Sequence, residues 1–183
     1  MITDDPELKS TTWKVVYDEN LLKLNSGFER CFDVRYNVFR YASTDICVTI
    51  DGSMEVVGSL DQLIKKFNDE QYDICLMPHP LWADFITEYN AWIRMRKYPI
   101  SNANKFFKLM QAANYDLKYK GLFQLCFSIK RRNDITSAID SMSMAFLKLM
   151  SLGEKSFERL DQTVFSFIMN RYFNNLKVLP ISE

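Results

Sequence analysis

The sequence predicts an α/β layered fold in one domain spanning residues 1–183. Three observations carry this expectation. Apolar runs at Ile46 to Ile50, Asp73 to Met77 and Leu122 to Ile129 have the length and composition of buried strands. Stretches with apolar residues at helical spacing lie between and after them. No internal repeat, low-complexity tract or Gly/Ser-rich linker divides the chain.

Each element has its own signal. The first run ends in the polar turn Asp51-Gly52-Ser53, followed by Met54 to Val57. Ser59-Leu-Asp-Gln62 has the pattern of a capping box, and Leu60, Leu63, Ile64 and Phe67 then mark an amphipathic helix. The second run ends in Pro78-His79-Pro80, where no helix begins before Pro80. A helix is expected from Trp82 to about Arg96, with Phe85, Ile86, Tyr89 and Ile93 as its buried face and Pro99 beyond its end. Ser101 is expected to cap the next helix, which carries Phe106, Leu109, Met110 and Ala113. After the third run, Asp134 is read as the N-cap of a helix reaching Met150, with Gly153 past its end. A last helix covers about Leu160 to Tyr172, and Lys177 to Ile181 reads as a short terminal strand.

Composition narrows the function classes. Apolar residues make up 48 %, with 14 Phe, 9 Tyr and 3 Trp, enough for a substantial core. Lys plus Arg and Asp plus Glu both number 23, so no overall basic field argues for nucleic acid. The four cysteines form no C-x-x-C pair, and the single histidine, His79, cannot complete a Cys/His zinc set. Cys47, Cys75 and Cys126 lie in strand-like runs and are expected to be buried, inert thiols. The start, Met1-Ile-Thr-Asp-Asp5, lacks a signal-peptide pattern, no apolar run reaches membrane-spanning length, and the cytoplasm is the default location. Phosphate-binding glycine loops and the G-x-S-x-G nucleophile elbow are absent.

The groups that remain stand at strand ends. Asp51 closes the first run, His79 the second, and Lys130-Arg-Arg-Asn-Asp134 the third. Were these strands parallel neighbours, an acid, an imidazole and a basic cluster would converge on one sheet edge, where open α/β sheets bind ligands. A carboxylate for a divalent metal with arginines nearby suits a diphosphate. The plainer readings are an ordinary Asp-Gly turn, a surface histidine and a solvated basic loop. Asp161 at a helix start is accounted for by the helix dipole alone. Glu88 is expected to be exposed and structurally neutral.

In order, Ile2-Thr-Asp-Asp-Pro-Glu-Leu-Lys-Ser-Thr-Thr-Trp13, Asp33-Val-Arg35, Ile50-Asp-Gly-Ser53, His79-Pro80, Glu88, Arg131-x-Asn133 and Asp161-Gln162 span nearly the whole chain. This set resembles the glycosyltransferase-like family of the plant mucilage and turgor-regulation proteins and their bacterial relatives, nucleotide-diphospho-sugar transferases of the GT-A type. The resemblance implies a GT-A-like mixed sheet flanked by helices and transfer of a hexose from a nucleotide-sugar donor to a glycan or other hydroxyl acceptor. Asp51 stands in the place of the Asp-x-Asp motif, which holds Mn²⁺ or Mg²⁺, with Gly52 and Ser53 beside it at the donor. Arg35, Arg131 and Asn133 match donor-side positions. Asp161 and Gln162 match the pair that faces the transferred sugar and are the implied catalytic residues. His79 and Glu88 match positions on the acceptor side.

Asp-Gly-Ser, as is usual in this family, lacks the second carboxylate of the Asp-x-Asp motif. The chain departs from the family in two ways. Arg132 stands where relatives often have His. The first strand and Gly-rich loop that precede the Thr-Asp-Asp segment in relatives, and hold the base, are not in this sequence. The alternative expectation is therefore a catalytically inactive carbohydrate- or partner-binding domain, with an open sheet edge where a strand is missing.

Overall fold

The computed structural model describes residues 1–24, 26–81, 83–95, 100–151 and 161–181. A short parallel pair, β1 (Ile2–Thr3) and β2 (Val16–Tyr17), precedes the main sheet. Then follow α1 (Gly27–Tyr36), β3 (Ile46–Ile50), α2 (Asp61–Asp69), β4 (Ile74–Pro78), α3 (Phe85–Arg94) and α4 (Ile100–Ala112). The chain continues through β5 (Phe123–Arg131), α5 (Asp134–Ser151), α6 (Asp161–Tyr172) and β6 (Val178–Pro180).

The main sheet has the order β3-β5-β4-β6. Strand β5 runs antiparallel to both β3 and β4, and β6 runs parallel to β4. The molecule is thus a mixed α/β fold with a mixed sheet flanked by helices, and β3 and β4 point the same way across an intervening antiparallel strand. The expectation of three parallel neighbours fails at β5. Its carboxyl end, with Arg131 and Asn133, lies at the opposite sheet edge from Asp51 and His79. Ile46 pairs with Arg131 while Ile50 pairs with Phe127. Arg131 therefore stands about 17 Å along the strand from the level of Asp51.

A bulge in β5 divides the apolar residues between two cores. Pairing with β4 jumps from Leu76↔Ser128 to Met77↔Gln124. Leu125 consequently packs with the larger core, while Phe127 and Ile129 face the smaller one. The smaller core seats α2 through Phe67, with Leu63 and Ile64 beside it. In the larger core, Phe85 meets Trp92 edge-on at 5.8 Å and 82°, and Phe106 packs against both. Full burial of each such ring is worth roughly 1.5–3 kcal/mol. Thr163 to Met169 of α6 are all buried, as expected for a helix enclosed on every side.

Several local expectations change on contact with the tertiary fold. Ser59 does not form the capping box: its hydroxyl accepts from the Asp61 N–H, and Leu60 occupies the cap position. Helix α4 already includes Ile100, so Ser101 sits inside its first turn. Leu109 points outward at 46 % exposure, away from Phe106 and Met110. The buried face of α3 is turned toward Phe85, Glu88, Ala91 and Trp92, with Ile86, Tyr89 and Ile93 half-buried. Asn133, rather than Asp134, caps α5: its Oδ1 accepts from the Thr136 N–H at 2.9 Å. Trp82, Pro99, Gly153 and Leu160 lie outside the described residues. Among the described residues, no helix is long and apolar enough to cross a membrane.

Candidate functional site

The site is assembled from the end of β3, one face of α1, the bulged part of β5 and the first turn of α6. Helix α1 begins at Ser26, whose hydroxyl accepts from the Glu29 N–H at 3.1 Å. One face of this helix then carries Cys31, Phe32 and Arg35 to the cleft. Asp51 is fixed where β3 ends, its N–H donating to the Cys126 carbonyl at 2.8 Å. The Met54 N–H closes the following turn onto the Asp51 carbonyl at 3.0 Å. A Cβ added to Gly52 would meet nothing within 4 Å, so packing makes no demand for glycine there.

Arg35 joins the two acids. Its Nη2 donates to Asp51 Oδ1 at 2.6 Å, and its Nη1 donates to Asp161 Oδ2. The three side chains differ in access: Arg35 and Asp161 are 12 % and 14 % exposed, Asp51 38 %. Burial alone would lower the Arg35 guanidinium, but Asp161 and Asp51 outweigh it and raise it further above its ordinary value. Burial pushes the Asp161 carboxyl upward, with Arg35 opposing the shift. Tyr36 supports the arrangement from behind, donating its hydroxyl to the Asp161 carbonyl at 3.3 Å.

The resulting cleft has a volume of 270 Å³ and is lined by Arg35, Asp51, Gln124, Cys126, Asp161 and Gln162, among others. This is slightly below the roughly 300–1,000 Å³ usual for small-molecule sites. Gln162 donates its Nε2 to Glu88 Oε1 at 3.1 Å, and the Thr163 hydroxyl donates to Glu88 Oε2. Glu88 is only 1 % exposed, so the expectation of a solvated residue is wrong. The sequence signal missed here is its place one helical turn from Phe85 and from Trp92, on the face that α3 buries.

Thus Arg35, Asp51, Asp161 and Gln162 come together, with Gly52 and Ser53 next in the chain. Glu88 stands behind Gln162. His79 lies at the same sheet edge as Asp51. Its N–H donates to the Leu122 carbonyl at 2.9 Å, and its Nδ1 accepts from the Leu81 N–H at 3.3 Å. Arg131 and Asn133 are elsewhere and hold the fold together. Arg131 donates from Nε to the Tyr72 carbonyl at 3.0 Å and lies over the Phe67 ring. Asn133 donates to Asp73 Oδ1 at 2.8 Å. Arg132 donates to the backbone carbonyls of Phe39, Ala42 and Thr44.

Lys130 also departs from the expected solvated loop. It is the penultimate residue of β5, 1 % exposed, and paired with buried Asp140 at 2.6 Å. Its ammonium lies 5.5 Å from the Tyr36 ring centre and 5.3 Å from that of Phe165. It also reaches the Arg35 carbonyl at 3.5 Å, so the buried pair braces the end of α1 that carries the site arginine. Of the four thiols, Cys75 is buried, Cys47 and Cys126 are half-buried and Cys31 is exposed. Cys75 alone meets the expectation of full burial.

A divalent cation fits this donor set in one way. Among the described residues, no group of three or more His, Cys, Asp or Glu is placed to hold a metal. Asp51, the more accessible of the two acids, suits an ion such as Mg²⁺ that keeps water and substrate phosphate oxygens as most of its ligands. Compared with known proteins, the chain matches no protein-family model, no curated protein and no solved structure.

Proposed function

We propose that this chain is a glycosyltransferase-like domain that moves a hexose from a nucleotide sugar to a glycan or other hydroxyl acceptor. The observation that carries the reading is Arg35 bridging Asp51 and Asp161 beside Gln162 in a single cleft. These residues come from three separate elements, and they are four of those that the resemblance assigns to the donor and the transferred sugar. Arg35, held by exchangeable carboxylates, turns its charged donors to the diphosphate when a donor arrives. That interaction stabilises the negative charge of the departing nucleotide. Asp51 would hold a divalent cation, which when bound supplies further neutralisation of the diphosphate. Asp161 and Gln162 orient the sugar, and the Asp161 carboxylate stabilises positive charge developing at its anomeric carbon. The cleft's volume suits the diphosphate and sugar rather than a whole nucleotide sugar.

A transfer assay with radiolabelled nucleotide sugars tests the reading. Asp51→Ala and Asp161→Ala should each lower transfer at least about 100-fold, with an unchanged circular dichroism spectrum. Wild-type transfer by either variant contradicts the assignment. The second reading, a non-catalytic carbohydrate- or partner-binding domain, is favoured by one observation: Arg131 and Asn133 are absent from the cleft and engaged in the fold. It predicts glycan binding that needs no nucleotide sugar and is indifferent to Asp51→Ala.

A further inference from the structure

Gln162 lines the cleft with its amide held from behind. The holding group is Glu88, whose two carboxylate oxygens accept from Gln162 Nε2 and from the Thr163 hydroxyl. Glu88 is itself well anchored. Helix α3 is capped by Asp84, which accepts from the Thr87 N–H at 2.8 Å, and the Glu88 N–H donates to the Asp84 carbonyl at 3.2 Å. An amide has a donor end and an acceptor end, and a side chain in water is free to present either. A buried carboxylate oxygen removes that freedom, because it accepts only the NH₂ end. The acceptor end, Oε1, is thereby left off Glu88, on a residue that lines the cleft.

We propose that Glu88 is a positioning residue that fixes the polarity of Gln162, so that the cleft beside Arg35 presents a carbonyl acceptor. The ligand must then offer a donor at that point, a hydroxyl or an N–H, adjacent to the group held by Arg35. This deepens the transferase reading and rests on it for the identity of the ligand: a sugar whose hydroxyl meets Gln162 is selected over its deoxy analogue. It also replaces the expectation that Glu88 meets the acceptor, since a side chain with 1 % exposure is closed to it.

The test has two arms. In the first, the side-chain amide of Gln162 is followed by NMR in ¹⁵N-labelled protein without ligand, its signal assigned by its loss in Gln162→Glu. Its protons should exchange slowly with solvent in the wild type and quickly in Glu88→Ala, or in the similarly sized Glu88→Met, which has no oxygen acceptor, should Glu88→Ala not fold. Fast exchange in the wild type overturns the proposal whether or not the protein is a transferase. In the second arm, wild type and Glu88→Met, which has no carboxylate or amide oxygen to accept from Gln162, are titrated with UDP, UDP-glucose and UDP sugars lacking single hydroxyls. Glu88→Met should leave UDP affinity unchanged and weaken UDP-glucose about 10- to 100-fold. One deoxy sugar should bind wild type and variant alike. The double variant Glu88→Gln/Gln162→Glu, which places an acceptor on the cleft side, should recover part of the loss. Equal UDP-glucose affinity in wild type and Glu88→Met overturns the proposal. Failure of the wild type to bind any nucleotide sugar counts against the transferase reading, and the exchange arm still decides the role of Glu88.

Discussion

The two edges of the main sheet carry the same kinds of residue to different ends. At one edge, Arg35 is engaged by two acidic side chains on the wall of a cleft, and one of those acids, Asp51, is 38 % exposed. At the other, Arg131 and Arg132 donate mainly to backbone carbonyls, and Asn133 caps a helix. A ligand phosphate can replace a carboxylate on a guanidinium. A guanidinium drawn to a phosphate from a backbone carbonyl would release the chain segment that it ties down. Charge type therefore does not distinguish a site from a brace; the partner of the charge does.

The largest expected effect is at the buried pair beside Arg131, whose lysine also reaches the Arg35 carbonyl. Asp140→Ala leaves the Lys130 ammonium without its carboxylate in the interior and should cost about 3–5 kcal/mol in urea unfolding. Lys130→Met, which removes the charge and fills the space, should cost clearly less. Equal losses would show that packing rather than charge dominates there.

A smaller effect separates the edges directly. Asn133→Ala removes the α5 cap and the contact to Asp73, for about 1–2 kcal/mol of stability. Nucleotide-sugar affinity should be unchanged, as measured by calorimetry. A fall in affinity without a fall in stability would return Asn133 to the site.

The pH dependence offers a further test, confined to alkaline solution. Burial pushes the Cys75 thiol up to about 12 from an ordinary 9.0. Between those values the folded chain keeps a proton that the unfolded chain releases. The contribution to stability is present below pH 9 and is lost as pH rises toward 12. Cys75→Ala should flatten this part of the stability profile, and Cys31→Ala, an exposed thiol, should alter it less.

The sequence was legible where local pattern and burial agree. The apolar runs of β3 and β4, the helical spacing of α2 and the start of α6 at Asp161 all lie where they were expected. Strand direction was not legible, because an apolar run reads alike in both directions, and the antiparallel course of β5 removed Arg131 and Asn133 from the site. The extent of β5 was misjudged for a related reason: Lys130 looks like a loop residue until Asp140, ten positions on in α5, buries it as a partner. Arg35, Asp51, Asp161 and Gln162, which line one cleft, were singled out through the order of motifs. Glu88 was assigned to the acceptor side through the same order; its burial could have been read from Phe85 and Trp92 on the same helix face, but its contact with Gln162 depends on how α3 sits against α6, which no local pattern encodes.

The central claim is that Arg35, Asp51 and Asp161 form a nucleotide-sugar site. The most direct measurement is calorimetric titration of the wild type and Asp51→Ala with a panel of nucleotide sugars in the presence of Mn²⁺. The account predicts saturable binding of at least one donor by the wild type and its loss in a folded Asp51→Ala variant. No binding by a well-folded wild type, or equal binding by the variant, would contradict it.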